Sequence, residues 1–397
     1  MAYKKILIIL IILALGSLPF LKLKKETKKT LTLWTIQLKA PAGDIIQKNI
    51  DFFEKKHPEI NIVWVDIPIS EAQKRAIASV LGGNPPDIIN LNPEFSLLLA
   101  QKNTLEFFDE KDAKDYNQSL VNKLKFNDKI YALPFYATSP VTVLNKEKFK
   151  NCKIQLKTYD DILKLKTCKN PPVFGINLNE NDTFAKILNK YDIYDGNNDR
   201  IKDIYFLFKK MNDENLLLKD TLTINHRELV EKYMAQNAAF IITGSNFLNI
   251  IKENAPDVYE KSVIIPQLTG TGNKFDISLM NFIIPKNSKN KELAKEFIHL
   301  LLNEENQLEF SKKTNTLPVN KYALQDEYFT NCSNNIEDLA RCEAKKQLDN
   351  ALIKDFGYKN KKEINETINQ SLEILFLEGD GEFSAENLKK DINLLQN

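Results

Sequence analysis

Residues 128–149 read DKIYALPFYATSPVTVLNKEKF, and this stretch decides how the rest of the chain is interpreted. A short apolar run ends at Pro134, a polar loop covers Tyr136–Ser139, and a β-branched run begins at Val141, directly after Pro140. Because proline fixes its own φ and favours an extended residue before it, the pattern predicts two stiff strands joined by a polar break. Such a unit suits a crossing between two lobes, at a hinge beside a binding cleft. An edge strand interrupted by prolines would give the same pattern.

The length and composition predict an ordinary soluble protein with two domains. At 397 residues the chain is longer than one hydrophobic core supports, and 43% hydrophobic with 27% charged residues is typical of a globular protein. The net charge of +2 is too small to predict the strongly positive surface of a nucleic-acid-binding protein. The arginines are Arg75, Arg200, Arg227 and Arg341. The chain therefore has few bidentate clamps for phosphate groups.

The amino terminus has the pattern of an export signal. Lys4 and Lys5 precede an apolar run from Ile6 to Leu15, which matches the charged and apolar regions of a secretory signal. We interpret residues 1–21 as a signal peptide or an N-terminal anchor and residues 22–30 as a polar tether. Either alternative exports the protein to the periplasm or the extracytoplasmic membrane surface, and an uncleaved segment would associate it with the membrane.

The four cysteines fit an oxidising compartment. Cys152, Cys168, Cys332 and Cys342 have no metal-ligand spacing, and four cysteines allow three pairings. We expect the simplest pairing, Cys152–Cys168 and Cys332–Cys342. Four buried free thiols in a cytosolic protein are the alternative.

Short apolar strands alternate with helical segments in the first hundred residues. Strands are predicted at residues 31–35, 60–65 and 87–91, with amphipathic segments between them. This alternation predicts a parallel α/β sheet in a first lobe. Ligands of such sheets bind beyond the carboxyl ends of the strands.

Phrases throughout the chain resemble one family of transport proteins. They include LWT at 33–35, FEKKHPEI at 53–60, GNPPDI at 83–88, YALP at 131–134, IPKNS at 284–288, NKELAKEF at 290–297, TLPV at 316–319 and EGDGEFSAENL at 378–388. In order and spacing they resemble the extracellular solute-binding proteins of ATP-driven importers, in the branch that includes maltose-binding and glycerol-3-phosphate-binding proteins. The resemblance covers nearly all of the chain beyond Leu31.

The resemblance implies an α/β fold of the periplasmic-binding-protein-like type II, with two discontinuous lobes joined by a hinge and a ligand cleft between them. We expect residues 31–136 with 276–314 to form the first lobe, and residues 137–275 with 315–397 to form the second. A protein of this family binds a small solute and docks on the transmembrane subunits of an ABC permease. We expect a monomer.

The family's binding positions, carried over to this chain, predict ligand contacts from both lobes and from the crossings. The predicted residues are Gln37, Asn92, Glu94, Phe95, Tyr136, Thr138, Asn181, Thr183, Phe184, Ser245, Asn246, Phe247, Ser278 and Thr316.

No pattern of catalytic residues is visible in the sequence. His57, His226 and His299 stand at a helix end, in a charged loop and among leucines, and no metalloprotease, dinucleotide or phosphate-loop motif occurs. We therefore predict a binding protein that is not an enzyme and that uses no cofactor or metal.

Two departures from the family pattern bear on the ligand. Asn246 and Phe247 stand where many sugar-binding relatives carry tryptophan, and Ile277–Leu279 stands where they carry paired glycines. Fewer stacking aromatics favour a small neutral sugar, polyol or glycoside over a long oligosaccharide. The stretch around Pro140 resembles the glycerol-phosphate-binding branch, so glycerol-3-phosphate or a glycerophosphodiester is an alternative ligand. A membrane-anchored sensory or scaffolding protein that reuses the fold is an alternative function.

Overall fold

Two β-sheets, each covered by helices, make up the two lobes of this computed structural model, which describes residues 28–180, 182–196, 198–332, 335–352, 360–378 and 381–396. The predicted signal or anchor at 1–21 and the site residue Asn181 lie outside the described residues. In the described part of the chain, no helix combines the length and the apolar character that crossing a membrane requires.

The strands are β1 (Lys29–Ile36), β2 (Ile60–Ile67), β3 (Ile88–Leu91), β4 (Lys125–Phe126), β5 (Lys129–Ile130), β6 (Leu133–Thr138), β7 (Val141–Asn145), β8 (Phe174–Gly175), β9 (Phe240–Thr243), β10 (Ser262–Pro266), β11 (Phe275–Asp276), β12 (Ser278–Ile283), β13 (Leu317–Pro318) and β14 (Ala351–Leu352).

The α-helices are α1 (Lys39–Lys56), α2 (Ile69–Leu81), α3 (Pro93–Gln101), α4 (Glu110–Ala113), α5 (Gln118–Lys123), α6 (Thr183–Lys190), α7 (Ile201–Asp213), α8 (His226–Met234), α9 (Asn246–Asn254), α10 (Pro256–Glu260), α11 (Lys291–Leu301), α12 (Glu304–Thr314), α13 (Glu327–Thr330), α14 (Ile336–Gln347), α15 (Lys361–Glu378) and α16 (Gly381–Gln396). Short 3₁₀ helices cover Lys146–Phe149, Tyr159–Thr167, Ala323–Gln325 and Leu348–Asn350.

The larger lobe contains a six-stranded sheet in the order β13-β6-β12-β3-β1-β2. Strand β1 pairs in parallel with β2 and β3, as the alternation of strands and helices predicts. Strand β12 then pairs antiparallel with β3 and β6, because the chain returns to this sheet late in the sequence. The smaller lobe contains a four-stranded sheet in the order β10-β7-β9-β8.

The chain leaves the larger sheet at the end of β6 and enters the smaller sheet with β7, so Ser139 and Pro140 form a crossing. The crossing is shorter than the predicted polar loop at Tyr136–Ser139, because Tyr136–Thr138 continue strand β6 and pair with β12. The other lobe boundaries stay predictions, with three adjustments to the expected ranges. Residues 137 and 138, expected in the second lobe, belong to β6 of the larger sheet. Residues 29–30, expected in the tether, already belong to β1. Strand β13, expected in the second lobe, hydrogen-bonds to β6 in the larger sheet.

Both expected cysteine pairs are bonded. The Cα atoms of Cys152 and Cys168 are 5.2 Å apart, and those of Cys332 and Cys342 are 5.8 Å apart. Each bridge closes a short loop within one part of the chain, so neither bridge ties the two sheets together.

A buried carboxylate, that of Asp87, joins distant parts of the larger lobe. Its oxygens accept hydrogen bonds from the backbone N–H and the hydroxyl of Thr32, at 2.8 and 2.9 Å, and from the hydroxyl of Ser288 at 2.6 Å. The Asn290 amide donates to it at 3.2 Å. Asp87 belongs to the phrase GNPPDI, whereas Ser288 and Asn290 belong to the later phrases IPKNS and NKELAKEF. These phrases therefore meet in space to connect β1, β3 and the start of α11.

A second buried cluster holds the crossings between the lobes. We call it the crossing cluster and define it as Gln267, Gln347 and Lys190. The Gln267 side-chain nitrogen lies 3.2 Å from the Ser139 hydroxyl oxygen and 3.0 Å from the Asp276 carbonyl oxygen, and its side-chain oxygen accepts from the Asp276 N–H at 3.0 Å. One carboxamide thus contacts both the first crossing and the return of the chain through β11.

The other two members of the crossing cluster complete its hydrogen bonds. The Gln347 side chain accepts from the Gln267 N–H at 3.1 Å and donates to the Pro140 carbonyl at 3.0 Å. The Lys190 ammonium donates to the Gln267 side-chain oxygen at 2.8 Å and to the Leu268 carbonyl at 2.9 Å. Because every member is buried, a bond lost from this cluster leaves a polar group without water to replace it.

We expect replacement of Asp87 by alanine to lower the free energy of unfolding by about 2 to 4 kcal/mol, since it leaves several buried donors unsatisfied. Urea unfolding monitored by circular dichroism measures the loss. The exposed Asp257 provides a matched control, and its replacement by alanine should change stability by less than about 0.5 kcal/mol. Equal effects of the two substitutions would contradict the role of Asp87.

Lys190 should make stability depend on pH. Burial lowers the pKa of Lys190 from 10.5 to about 8, against the attraction of Asp276. Between pH 8 and 10.5 the unfolded chain then binds more protons at this site than the folded chain, so stability rises with pH across that window. Between pH 8 and 10.5 the free energy of unfolding of the wild type should rise by about 3 kcal/mol relative to that of Lys190→Met, as measured by urea unfolding. A pH-independent difference between the two proteins would disprove this.

Candidate ligand-binding site

Three adjoining cavities form a cleft between the lobes, and Asp276 lines all of them. The first cavity, of about 330 Å³, lies against the smaller lobe and is lined by Thr183 and Lys186 of α6, His226 of α8 and Thr243 of β9. Asp276 reaches the centre of the cleft because it ends β11, immediately before the chain returns to the larger sheet in β12.

The second and third cavities extend the cleft toward the larger lobe. The second, of about 250 Å³, lies beside the crossing, where Thr138 and Ser139 face Ser245 and Asn246 at the start of α9. The third, of about 280 Å³, lies between α3 of the larger lobe and α6 of the smaller lobe. Since Ser278 lines both, the three cavities are parts of one continuous cleft.

The structure brings eight of the predicted site residues to this cleft. Thr183 lines the first cavity. Thr138, Ser245, Asn246, Ser278 and Thr316 line the second, and Asn92 and Glu94 line the third together with Ser278. Their contact with a ligand stays a prediction.

Two predicted residues have local structural partners. The Asn92 side chain accepts a hydrogen bond from the Phe95 N–H at 3.4 Å and so caps α3, whose first residue is Pro93. The Glu94 carboxylate lies 3.0 Å from the Lys361 ammonium. The sequence pattern therefore leads to a turn that lines the cleft, and both side chains also have a structural role.

Phe184 lines none of the three cavities, and its contact with a ligand stays a prediction. Its ring is fully buried in edge-to-face packing against Tyr205 and Phe208. The adjacent Thr183 lines the cleft, whereas Phe184, one position further around α6, fills the core of the smaller lobe.

The remaining predicted aromatic residues lie outside the three cavities and pack against other side chains. Tyr136 is half-buried, with its ring centroid 5.3 Å from that of Phe310, and burial raises the pKa of its hydroxyl to about 12. Phe247 packs edge-to-face on His226 at 4.9 Å. Phe95 is half-buried against the core. Contact of these three rings with a ligand stays a prediction.

Gln37 lies on an exposed turn after β1 and has a left-handed φ of 50°. The turn is held by Asp66, whose carboxylate accepts from the Thr35 hydroxyl at 2.6 Å and from the N–H groups of Leu38 and Lys39 at 2.9 Å. Gln37 lines none of the three cavities.

The sequence interpretation missed the charged residues of the cleft, chiefly Asp182, Lys186, Lys190 and Asp276. A signal was available for α6, because Thr183, Lys186 and Lys190 follow the i, i+3, i+7 spacing of one helix face. No comparable signal exists for Asp276, whose position depends on the pairing of β11 with β14.

The charged groups of the cleft shift one another's pKa values. Burial alone would raise the pKa of Asp182, but the ammonium groups of Lys186 and Lys361 outweigh it and lower the pKa. Attraction to Asp276, and then to Asp182, raises the pKa of Lys186 despite its burial. Both residues are therefore charged at neutral pH.

His226 adds a neutral hydrogen-bonding group to the first cavity. Burial lowers the pKa of its imidazole, against the attraction of Glu180. Its Nε2 atom lies 3.0 Å from the Thr243 hydroxyl. At neutral pH this imidazole offers a donor or an acceptor without a charge.

The ionisable groups of the first and third cavities nearly balance. The carboxylates are those of Glu94, Glu180, Asp182 and Asp276, and the ammonium groups are those of Lys186, Lys190 and Lys361. Hydroxyl and amide groups line the cleft between these charges, and Tyr159 is the only tyrosine, phenylalanine or tryptophan among the described lining residues of the three cavities. Within the described residues, no three His, Cys, Asp or Glu side chains are grouped so that they could hold a metal ion.

The sequence of this chain matches a known protein family. Residues 35–308 match the family model for bacterial extracellular solute-binding proteins. The chain is 21% identical over 315 residues to a binding protein of Brucella abortus, covering 74% of this chain and 76% of that protein. It is 28% identical over 146 residues to the multiple sugar-binding protein of Streptococcus mutans, but this match covers only 36% of the chain and 34% of that protein.

Solved structures share the fold at low sequence identity. An oligosaccharide periplasmic-binding protein from Synechococcus sp. MITs9220 superposes with a TM-score of 0.79 at 21% identity, covering 92% of this chain and 98% of that chain. The sugar-binding protein MalE of Xanthomonas citri has a TM-score of 0.74 at 16% identity, covering 93% and 97%. With the family model matching more than half of its length, the chain belongs to the family of bacterial extracellular solute-binding proteins.

Proposed function

We propose that this protein is the extracytoplasmic substrate-binding component of an ABC importer, and that it binds a small neutral sugar, polyol or glycoside in the cleft between its lobes. The lobes close on the solute about the crossings, and the closed protein delivers the solute to the membrane permease. The observation that carries this proposal is the cleft itself, in which closely balanced charges alternate with hydroxyl and amide groups around Asp276.

Such a lining suits hydroxylated ligands. Carboxylates such as Asp276 accept hydrogen bonds from sugar hydroxyls, and such charge-assisted bonds are stronger than those between neutral groups. The side chains of Asn92, Thr183 and Asn246 offer further donors and acceptors that can orient a ring. The names of the sugar-binding relatives support the same class of ligand.

The shortage of aromatic rings favours a short ligand. Long sugars usually gain much of their contact area by stacking on aromatic rings. Tyr159 lines the first cavity, but it is only 2% exposed, so it offers little surface for stacking. A ligand held mainly by polar groups needs its hydroxyls near Asp276, His226 and the other polar groups of the first cavity. The first cavity alone, of about 330 Å³, has room for a ligand of this kind.

The charge balance disfavours a phosphate ligand. Four carboxylates against three ammonium groups leave the first and third cavities with a small negative charge. Arg341, the arginine of the second cavity, is paired with Asp338 and stacks on the Tyr328 ring. The lysines are the feature that favours glycerol-3-phosphate or a glycerophosphodiester, so these compounds remain the second candidates.

Calorimetry against neutral monosaccharides, disaccharides and polyols, with glycerol-3-phosphate and a glycerophosphodiester in the same panel, tests the ligand class. We expect binding of a neutral compound, because hydroxyls match the balanced lining. Binding of the phosphate compounds alone would favour the second candidates. The absence of any binding would contradict a transport role for these solute classes.

The substitution Asp276→Asn should weaken the binding of the solute found in that panel by about tenfold, since it removes one charge-assisted acceptor from the centre of the cleft. Isothermal calorimetry measures the change in Kd, and the exposed Asp257→Asn serves as the control. A thermal melt of each variant separates lost binding from lost folding. Wild-type affinity in a folded Asp276→Asn protein would show that the ligand binds elsewhere.

A further inference from the structure

Five side chains of alternating charge run across the cleft from one lobe to the other. Glu94 lies 3.0 Å from Lys361, and Lys361 lies 3.3 Å from Asp182. Asp182 in turn lies 3.1 Å from Lys186, which lies 3.7 Å from Asp276. Each ammonium group therefore stands between two carboxylates. We call these five residues the interlobe clasp.

The clasp joins parts of the molecule that belong to different lobes. Glu94 stands in the first turn of α3, whose Leu99 is buried with the strands of the larger sheet. Lys361 begins α15, whose Ile364 and Ile368 are buried in the core of the smaller lobe. The contact between Glu94 and Lys361 thus bridges the cleft.

We propose that the interlobe clasp holds the two lobes together over the cleft without any ligand, and that Lys361 is its positioning residue. Lys361 contacts a carboxylate of each lobe, Glu94 in the larger and Asp182 in the smaller. When the lobes separate, the distance from Glu94 to Lys361 must grow, and their attraction is lost. The pair therefore stabilises the closed arrangement and contributes little to the open one.

The burial of the clasp makes this attraction larger than that of a surface ion pair. The side chains of Glu94 and Lys361 are 12% and 26% exposed, whereas those of Lys48 and Glu309, which pair within the larger lobe, are 57% and 40% exposed. Water and salt screen a half-buried pair less than an exposed pair. A network also loses less side-chain freedom for each contact than an isolated pair, because Lys361 is already held by Asp182.

The clasp also orients charges toward the cleft. Lys361 and Lys186 hold the Asp182 carboxylate from two sides, and Lys186 connects it to Asp276. Loss of Lys361 would free Asp182 and leave Glu94 without this partner. Lys361 therefore acts on a ligand through Asp182 and through the closure of the lobes.

Small-angle X-ray scattering of the ligand-free, full-length protein tests the proposal, with Glu94→Gln and Lys361→Met as variants. We expect each variant to shift the ratio of closed to open molecules about three- to tenfold toward the open form, seen as a larger radius of gyration. The double variant should open no further than either single variant, because both remove the same contact. About 1 M NaCl should open the wild type and have little effect on the variants.

Two further variants serve as controls. Lys48→Met removes an ion pair within the larger lobe and should leave the radius of gyration unchanged. Lys361→Arg keeps the positive charge and should restore both the compact form and its sensitivity to salt. Near-ultraviolet circular dichroism confirms that each variant is folded.

The proposal is overturned if the folded Glu94→Gln and Lys361→Met proteins are as compact and as salt-sensitive as the wild type. It is also overturned if Lys48→Met opens the protein to the same extent. Because these measurements use no ligand, their outcome is independent of the sugar-binding proposal, and either proposal can fail while the other stands.

Discussion

The buried carboxamide of Gln267 is the contact on which the cleft depends most. It hydrogen-bonds to the Ser139 hydroxyl and to the backbone of Asp276, so two passages of the chain between the lobes share one side chain. Gln347 and Lys190 complete this crossing cluster. Since backbone polar groups at a crossing cannot join either sheet, they need such partners wherever water is excluded. The cluster lets the chain pass between lobes while Asp276 stays fixed at the centre of the cleft.

The crossing cluster also explains why a lysine lies buried beside the cleft. The Lys190 ammonium is fully enclosed, yet it donates to the Gln267 side chain and the Leu268 carbonyl at ordinary hydrogen-bond distances. Its lowered pKa expresses the cost of burying the charge, which the attraction of Asp276 offsets only in part. Helix α6 thus has two functions in the smaller lobe. Its first turn presents Thr183 to the cleft, and its last turn anchors the crossings.

Sequence patterns predicted the fold well because several of the motifs contain residues whose contacts stabilise the fold. The phrases GNPPDI and IPKNS are far apart in the chain, but Asp87 and Ser288 are hydrogen-bonded in the larger lobe. The polar break at Ser139 marked a crossing because prolines on either side hold the flanking strands extended. The site was harder to predict. Most of the positions taken from the family lie in turns that line the cleft, yet Phe184 lies in the core while its neighbour Thr183 lines the first cavity.

Although it left three cysteine pairings open, the sequence by itself determined the α/β class, the parallel pairing of the first strands, the crossing at Ser139 and Pro140, and the family. These follow from local propensity, periodicity and short motifs, which act within a few residues. Only the tertiary structure decided which charges meet in the cleft. Glu94, Asp182 and Lys361 are far apart along the chain, and no local pattern relates them. Their proximity depends on how α3, α6 and α15 pack, because electrostatic pairing is a property of distance in space and not of order in the sequence.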